Sequence, residues 1–474
     1  MLRCCSAAII LVAIGIALVI RRNRGRFLGL RFLLFGGFYV GESQSNVFSR
    51  PVVVKFGGSS LASGEKISNA VKAVVKELRK GAKIVVVVSA MGKTTDFLLN
   101  IANDAINSNG PVSNSDIDDI LAMGERTSAR IFSAALKASG VKCRYFDPAD
   151  PDWPIITNNK PTNADPLLSE CEQRINKHVM PLLREGTVAV LPGFIGKTMD
   201  GKITTMGRGG SDITALIVAR ALKAKQVILV TDVDGIMTAD PKLVKSARRI
   251  AEIDVNSLIG LASCGSKFLQ RKALKYKDAD IDVKIINHNY CDLEAEGTVI
   301  RGSLTSRIVN LEFPEPAASI TIVGKALQQS PEVLHQVIQK VRSADVSPLG
   351  ISANSDSFII YVPEDTLDKI LEPIHSVVLQ NSEVLAVAVR RNLALLKIKT
   401  AELEETPGII SRFSQALYAR NINIYGIFTV ASGIHVFVDM ALVKEALDTI
   451  KDSIEECFEM SCLKKREVGA GENG

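Results

Sequence analysis

From residue 52 onward the apolar positions alternate between two periods. "VVVKF" (52–56) is a short apolar run, and Ile67, Val71, Val74, Val75 and Leu78 then recur at helical spacing. "KIVVVVSA" (83–90) is a continuous β-branched run, the pattern of a strand buried on both faces. Strand, helix, strand predicts a βαβ unit and a sheet that is at least partly parallel. Further strands are predicted at "TVAVLPG" (187–193), "AKQVILVTDVDG" (224–235) and "IDVKIIN" (281–287), with helices between them that include 125–139 and 212–223. This block reads as one α/β domain of roughly 250 residues.

The texture changes near residue 300, at the proline-punctuated "LEFPEPAAS" (311–319). Two similar units follow. The first runs "SITIVG" strand, "SPEVLHQVIQKVRSA" helix, "VSPLGIS" and "SFIIYVP" strands, then "TLDKILEPIHSVV" helix. The second runs "LALLKIK" strand, "TPGIISRFSQALYAR" helix, "INIYGIF" and "GIHVFVD" strands, then "ALVKEALDTIKDSI" helix. An internal repeat of small β-α-β-β-α-β modules accounts for both. The tail "KKREVGAGENG" reads as disordered. Its "GAGENG" matches G-x-G-x-x-G, but no helix follows it, so it is composition and not a dinucleotide site.

Charge changes the picture once its position is considered. The net charge is +6, yet residues 1–50 alone hold seven Arg and one Glu, and the other 424 residues hold 50 basic and 50 acidic side chains. The folded part is neutral, which argues against a nucleic-acid partner. The eight Cys form no C-x-x-C pair and the five His are scattered, so free thiols in a reducing compartment are expected, and no zinc site or disulfide framework. Residues 4–20, "CCSAAIILVAIGIALVI", are nearly all apolar and precede "RRNRGR". The run is at the lower length limit of a spanning helix. Residues 1–50 therefore read either as a membrane anchor, carried by 4–40, or as an extension outside the working protein, which would then be cytoplasmic.

Three local patterns could carry chemistry. "VVVKFGGSSLASG" (52–64) has the outline of a phosphate-binding turn, but its lysine precedes the glycines, whereas a Walker A loop places it after them. "TTMGRGGSDITALIVARALKA" (204–224) encloses Arg208 among glycines, which let a backbone approach a ligand, and Arg pairs bidentately with carboxylate or phosphate. Ser211 and Asp212 open a helix there and could equally be caps. "VTDVDGIMTADPKL" (230–243) ends a strand in an acidic turn too short for an EF-hand, at the strand end where open α/β sheets bind ligands. In "LAMGERTSARIFSAAL" (121–136), Glu125 is expected in a first helical turn, where the helix dipole favours it.

The segments "KFGGSS", "GER", "PGFIG", "GRGGSD" and "TDVDGI", in this order, resemble the aspartate kinases of the amino acid kinase superfamily, and the double repeat resembles their paired ACT regulatory modules. The resemblance covers about residues 51–462. It implies an amino-acid-kinase-type, largely parallel α/β sheet sandwiched by helices over 51–303, and two ferredoxin-like α+β ACT modules at 317–390 and 391–462, with a disordered tail at 463–474. It also implies transfer of the γ-phosphoryl of ATP, with Mg2+, to the side-chain carboxylate of L-aspartate. By the same resemblance Lys55 contacts the transferring phosphoryl group, Gly57, Gly58 and Ser59 line it with backbone N–H groups, and Asp212 holds Lys55. Arg208 would grip the substrate α-carboxylate and Glu125 its ammonium, with Thr95, Phe194 and Ser211 completing the pocket. Thr231, Asp232, Met237, Lys242 and Lys267 fall on the nucleotide side, with no dedicated metal ligands. The resemblance further implies feedback control by an amino acid effector such as lysine or threonine, and a homodimer or higher homo-oligomer.

Departures from the family pattern are Gly260 where a Glu is usual, Gln270-Arg271 for His-Pro, and "SPEV" in the first ACT-like unit where a glycine turn is usual. Two other readings stay open on the residues alone: a kinase of another small amino acid or carboxylate, and a catalytically inactive amino-acid sensor.

Overall fold

The computed structural model describes residues 49–106, 113–262, 269–304, 310–311, 315–399, 408–430 and 433–454. The apolar run at 4–20, Lys267 and the glycine-containing tail lie outside the described residues. Among the described residues no helix is long and apolar enough to cross a membrane.

The first block begins β1 (Val52–Phe56), α1 (Gly64–Arg79), β2 (Ile84–Val88), α2 (Thr94–Ile106), α3 (Asn114–Ala138), β3 (Cys143–Tyr145), α4 (Leu168–His178), α5 (Met180–Arg184) and β4 (Val188–Pro192). It continues with β5 (Ile195–Lys197), β6 (Ile203–Thr205), α6 (Gly210–Ala221), β7 (Gln226–Thr231), β8 (Glu252–Asp254), α7 (Val255–Ala262), α8 (Arg271–Leu274), β9 (Asp282–Asn287) and β10 (Thr298–Arg301). Eight strands form one sheet in the order β3-β4-β2-β1-β7-β9-β10-β8, and only the β9–β10 pair is antiparallel. The largely parallel, helix-flanked sheet expected from the β-branched runs is what the chain forms. Every residue of β2 and of β4 is buried, as strands covered on both faces require.

On one face α1 presents Ile67, Ala70, Val71 and Val74 to the sheet, and Phe132 of α3 packs against Phe56 of β1, ring centroids 5.3 Å apart. On the other face α6 is apolar all round beyond its polar first turns (Ser211, Asp212, Thr214) and buried along its whole length except Arg220. A helix of that composition is stable only when enclosed. Chain order turns back at β1, with β2 on one side and β7 on the other. Open α/β sheets bind ligands at such a switch point, beyond the carboxyl ends of the strands.

The second block is one seven-stranded sheet: β11 (Asn310–Leu311), β12 (Glu315–Gly324), β13 (Gly350–Ala353), β14 (Ser357–Pro363), β15 (Val384–Lys399), β16 (Gly426–Val430) and β17 (Gly433–Asp439), in the order β13-β14-β12-β15-β17-β16 with β11 beside β15. Helices α9 (Pro331–Ser343) and α10 (Leu367–Gln380) close one core over its first half. Helix α11 (Ile409–Ala419) and a last helix over 443–454 close a second core. β15 pairs with β12 along 384–395 and with β17 along 393–399, so a single strand serves both halves. On the face opposite the helices Tyr361 stacks on Phe437 at 3.9 Å, with Phe428 edge-on. A Cβ on Gly350 of β13 would lie 3.2 Å from the Phe428 ring of β16, so the two edge strands approach each other across this aromatic cluster without pairing.

Candidate active site

A cavity of about 530 Å³ opens beyond the carboxyl ends of β1, β2, β4 and β7. It is lined by Lys55, Gly57, Gly58, Ser59, Thr95, Glu125, Phe194, Arg208, Ser211, Asp212 and Thr231, eleven of the fifteen residues singled out in the sequence. They come from segments up to 176 residues apart, joined because parallel strands direct all their carboxyl ends to one edge.

Lys55 is the penultimate residue of β1, with its side chain turned toward α6. Its Nζ lies 2.7 Å from Asp212 Oδ1, and both side chains are largely enclosed, at 15% and 12% exposed. Opposite charges at that distance in a largely enclosed setting attract each other more strongly than they would in bulk water. The ammonium also stands beside the glycine turn, 3.9 Å from where a Cβ on Gly57 would be. Gly58 cannot carry a side chain without adjustment: a Cβ there would sit 2.9 Å from the carbonyl oxygens of both Ala90 and Gly92. The turn is thus pressed against the β2–α2 loop, with the Gly92 N–H donating to Gly58 O at 2.9 Å.

One backbone donor differs from expectation. The Gly57 N–H donates to Val230 O at 3.0 Å, extending the β1–β7 ladder, so it does not face the cavity as a phosphate donor. The amides of Gly58 and Ser59 open the short helix Gly58–Leu61, where first-turn N–H groups lack a partner within the helix.

Glu125 is also placed differently. Helix α3 starts eleven residues earlier, at Asn114, capped by Ser113 Oγ accepting from the Asp116 amide. Glu125 is therefore mid-helix, beyond the reach of the N-terminal dipole. It is 4% exposed, and Oε2 has no hydrogen-bond partner. Burial pushes its pKa up to about 7, only partly offset by the Ala90 amide, its own backbone and the charge of Lys55. Gly124 permits this burial, since a Cβ there would meet Ala90 Cβ at 2.8 Å.

Arg208 sits exposed on the glycine loop and makes no hydrogen bond or ion pair among the described residues, so its guanidinium is available to a ligand. Gly209 takes φ +78° at the start of α6. Phe194 holds a left-handed backbone, φ +68°, and its N–H donates to Thr214 Oγ1 at 3.2 Å. Thr231 ends β7, and its hydroxyl donates to Asp232 Oδ1 at 3.1 Å, so Asp232 adjoins the cavity without lining it. Met237 and Lys242 lie on the following loop and do not line it, and Lys267 is outside the described residues. Ser89, Leu121, Thr162 and Thr205 line the cavity and were not singled out, and Gln270, noted in the sequence as a departure from the family pattern, lines it as well. Nothing local in "NNKPTNADP" marks Thr162; only tertiary folding brings it there.

A cation paired to a carboxylate beside a glycine turn, a free guanidinium and a buried acid define a site for moving a phosphoryl group onto a small zwitterion. The chain belongs to the amino acid kinase family, whose model matches residues 50–287. Within that family, aspartokinases are among its relatives. It is 30% identical to the aspartokinase of Geobacillus stearothermophilus over 423 residues, 87% of this chain and 99% of that one. It is 30% identical to the aspartokinase of Mycolicibacterium smegmatis over 438 residues, 89% of this chain and 99% of that one. The crystal structure of aspartate kinase from Synechocystis superposes with a TM-score of 0.69 at 25% identity, covering 86% of this chain and 69% of that one.

Proposed function

We propose that this chain is an aspartate kinase, transferring the γ-phosphoryl of ATP to the side-chain carboxylate of L-aspartate to give 4-phospho-L-aspartate. This is the entry step to amino acids built from aspartate. The observation that carries the reading is that one cavity holds the Lys55–Asp212 pair, Arg208 and Glu125 together. Arg208 matches an α-carboxylate and Glu125 an ammonium, a pairing that an N-acylated or non-amino acid could not use.

The acceptor carboxylate is ionised at neutral pH, so no side chain needs to remove a proton. Catalysis then rests on alignment and on neutralising phosphate charge. Lys55, held by Asp212, supplies a fixed positive charge that needs no reorganisation as the phosphoryl group moves. Gly58 and Ser59 offer backbone donors to the same group. Thr231, with Asp232 behind it, borders the nucleotide side. Mg2+ fits best on the ATP phosphates. Among the described residues the one group of three potential ligands, Glu77, Asp292 and Glu294, lies outside this cavity.

The two helix-covered halves of the second block are proposed as ACT modules at 317–390 and 391–462 that bind an amino acid effector, lysine or threonine, and join copies of the chain into a homodimer or larger homo-oligomer. The exposed edge strand β13 supports the latter, because an unpaired edge can extend a sheet across two chains. A cytoplasmic setting agrees with the free thiols of Cys143, Cys171 and Cys291. The test of catalysis is an ATP-dependent hydroxamate assay, in which hydroxylamine traps the acyl phosphate. Product with aspartate supports the reading; product with a different carboxylate alone overturns the substrate assignment.

A further inference from the structure

Arg208 makes no hydrogen bond or ion pair among the described residues, whereas the loop opposite it is closed on itself, the Asn158 N–H donating to Asp165 O at 2.9 Å and the Asp165 N–H to Asn158 Oδ1 at 3.0 Å. Gly207 and Gly209 flank Arg208, both at positive φ, and glycine backbones are the most freely displaced. Facing them is the loop at 158–166, where Thr162 has a left-handed backbone, φ +59°. The two segments touch closely: a Cβ on Gly207 would lie 3.0 Å from Asn163 Oδ1 and 3.2 Å from Thr162 O. The Ala164 N–H donates to Thr205 O at 2.9 Å.

Two charged side chains grip this junction from opposite sides. Asp118, on α3 and 0% exposed, accepts the Thr162 N–H at 3.0 and 2.9 Å on its two oxygens, and the Thr205 hydroxyl at 2.5 Å. Lys272, on α8, donates to Ala164 O at 3.1 Å, Met206 O at 3.0 Å and Asn163 Oδ1 at 2.7 Å. An anion thus collects donors and a cation collects acceptors from the same two loops. A buried carboxylate held by two donors, one of them shared between both its oxygens, is a costly arrangement to assemble and a stiff one once formed. Asp118 also lies seven residues before Glu125 on α3, two turns away on the same helix.

We propose that Asp118 and Lys272 form a clamp that positions Arg208 against Glu125 and so sets the span of the amino acid subsite. Neither residue lines the cavity; both act through the loops they hold. The clamp rests on the aspartate kinase reading for its substrate, but its structural content stands apart from it. A longer or looser subsite would bind aspartate less well while leaving ATP binding in place.

The test uses the full chain with Asp118→Ala, Lys272→Met and Lys272→Arg. Steady-state kinetics are measured with aspartate and ATP varied separately, and amide exchange is followed at Thr162 and across 205–209. Asp118→Ala and Lys272→Met are expected to raise KM for aspartate about tenfold or more, since displacements near 1 Å at a reacting pair can cost far more than that. KM for ATP should stay within about twofold and kcat should fall much less than KM rises, the signature of lost binding that is not specific to the transition state. Lys272→Arg should recover most of the loss, and both disabling variants should speed exchange at Thr162. Equal changes in the two KM values, or unchanged KM for aspartate with unchanged exchange, overturns the clamp. Should Asp118→Ala fail to fold, Lys272→Met decides alone. If the unaltered enzyme makes no acyl phosphate from aspartate, the substrate reading fails, and exchange at Thr162 still decides whether the clamp exists.

Discussion

Lys55 and Asp212 each need the other. Replacing Lys55 with Met removes the fixed charge at the glycine turn and leaves a mostly enclosed carboxylate without its partner. Turnover is expected to fall by about 10²–10³-fold or more, and stability should fall as well. The double variant Lys55→Met/Asp212→Asn should regain stability in a thermal melt but not turnover, which separates the two effects. Glu125 gives a pH dependence. Its folded pKa, about 7, lies above the ordinary 4.5, so the unfolded chain releases this proton first. The group therefore weakens the apo fold as pH rises from about 4.5 to 7. Glu125→Gln should raise the melting temperature at pH 8 more than at pH 5. KM for aspartate should climb as pH drops below about 7 in the unaltered enzyme, because the protonated acid no longer pairs with the ammonium, and should lose that slope in Glu125→Gln.

Among the elements, the glycine turn after β1 is the most tightly defined. Gly58→Ala would press a methyl against two carbonyl oxygens, and the expected cost is about 1–3 kcal/mol with displacement of the turn. A denaturant melt and the aspartate-dependent rate should both register it. The turn and the Arg208 loop were legible in the sequence because their constraints are local: a lysine at a strand end, glycines where backbone meets backbone, an acid at a helix start. Helix α3 was legible only in its second half, because "NSDIDDILAM" mixes acids with apolar residues and hides the start, so Glu125 was read at a terminus it does not occupy. Thr162 and Thr205 gave no signal, since their role depends on contacts across more than 40 residues. β15 was hidden for another reason. Arg390, Arg391 and Asn392 read as a boundary, and Asn392 has φ +62°, yet the strand continues through a bulge opposite Ala317–Ser319.

Across the whole molecule, β15 joins the two halves of the second block, so they are expected to lose structure together. Ala388→Pro would remove a donor in the middle of the β12–β15 ladder. Amide exchange should then rise in β17 as well as in β12 and β14; a rise confined to β12 and β14 would show the halves to be independent. Adding lysine or threonine to the assay tests the effector role of these modules, with inhibition expected from one of them. The most direct measurement is the hydroxamate assay on the full chain with ATP and a panel of amino acids. The account expects an acyl hydroxamate with L-aspartate, abolished in Lys55→Met. No product with aspartate, or undiminished product in Lys55→Met, would contradict it.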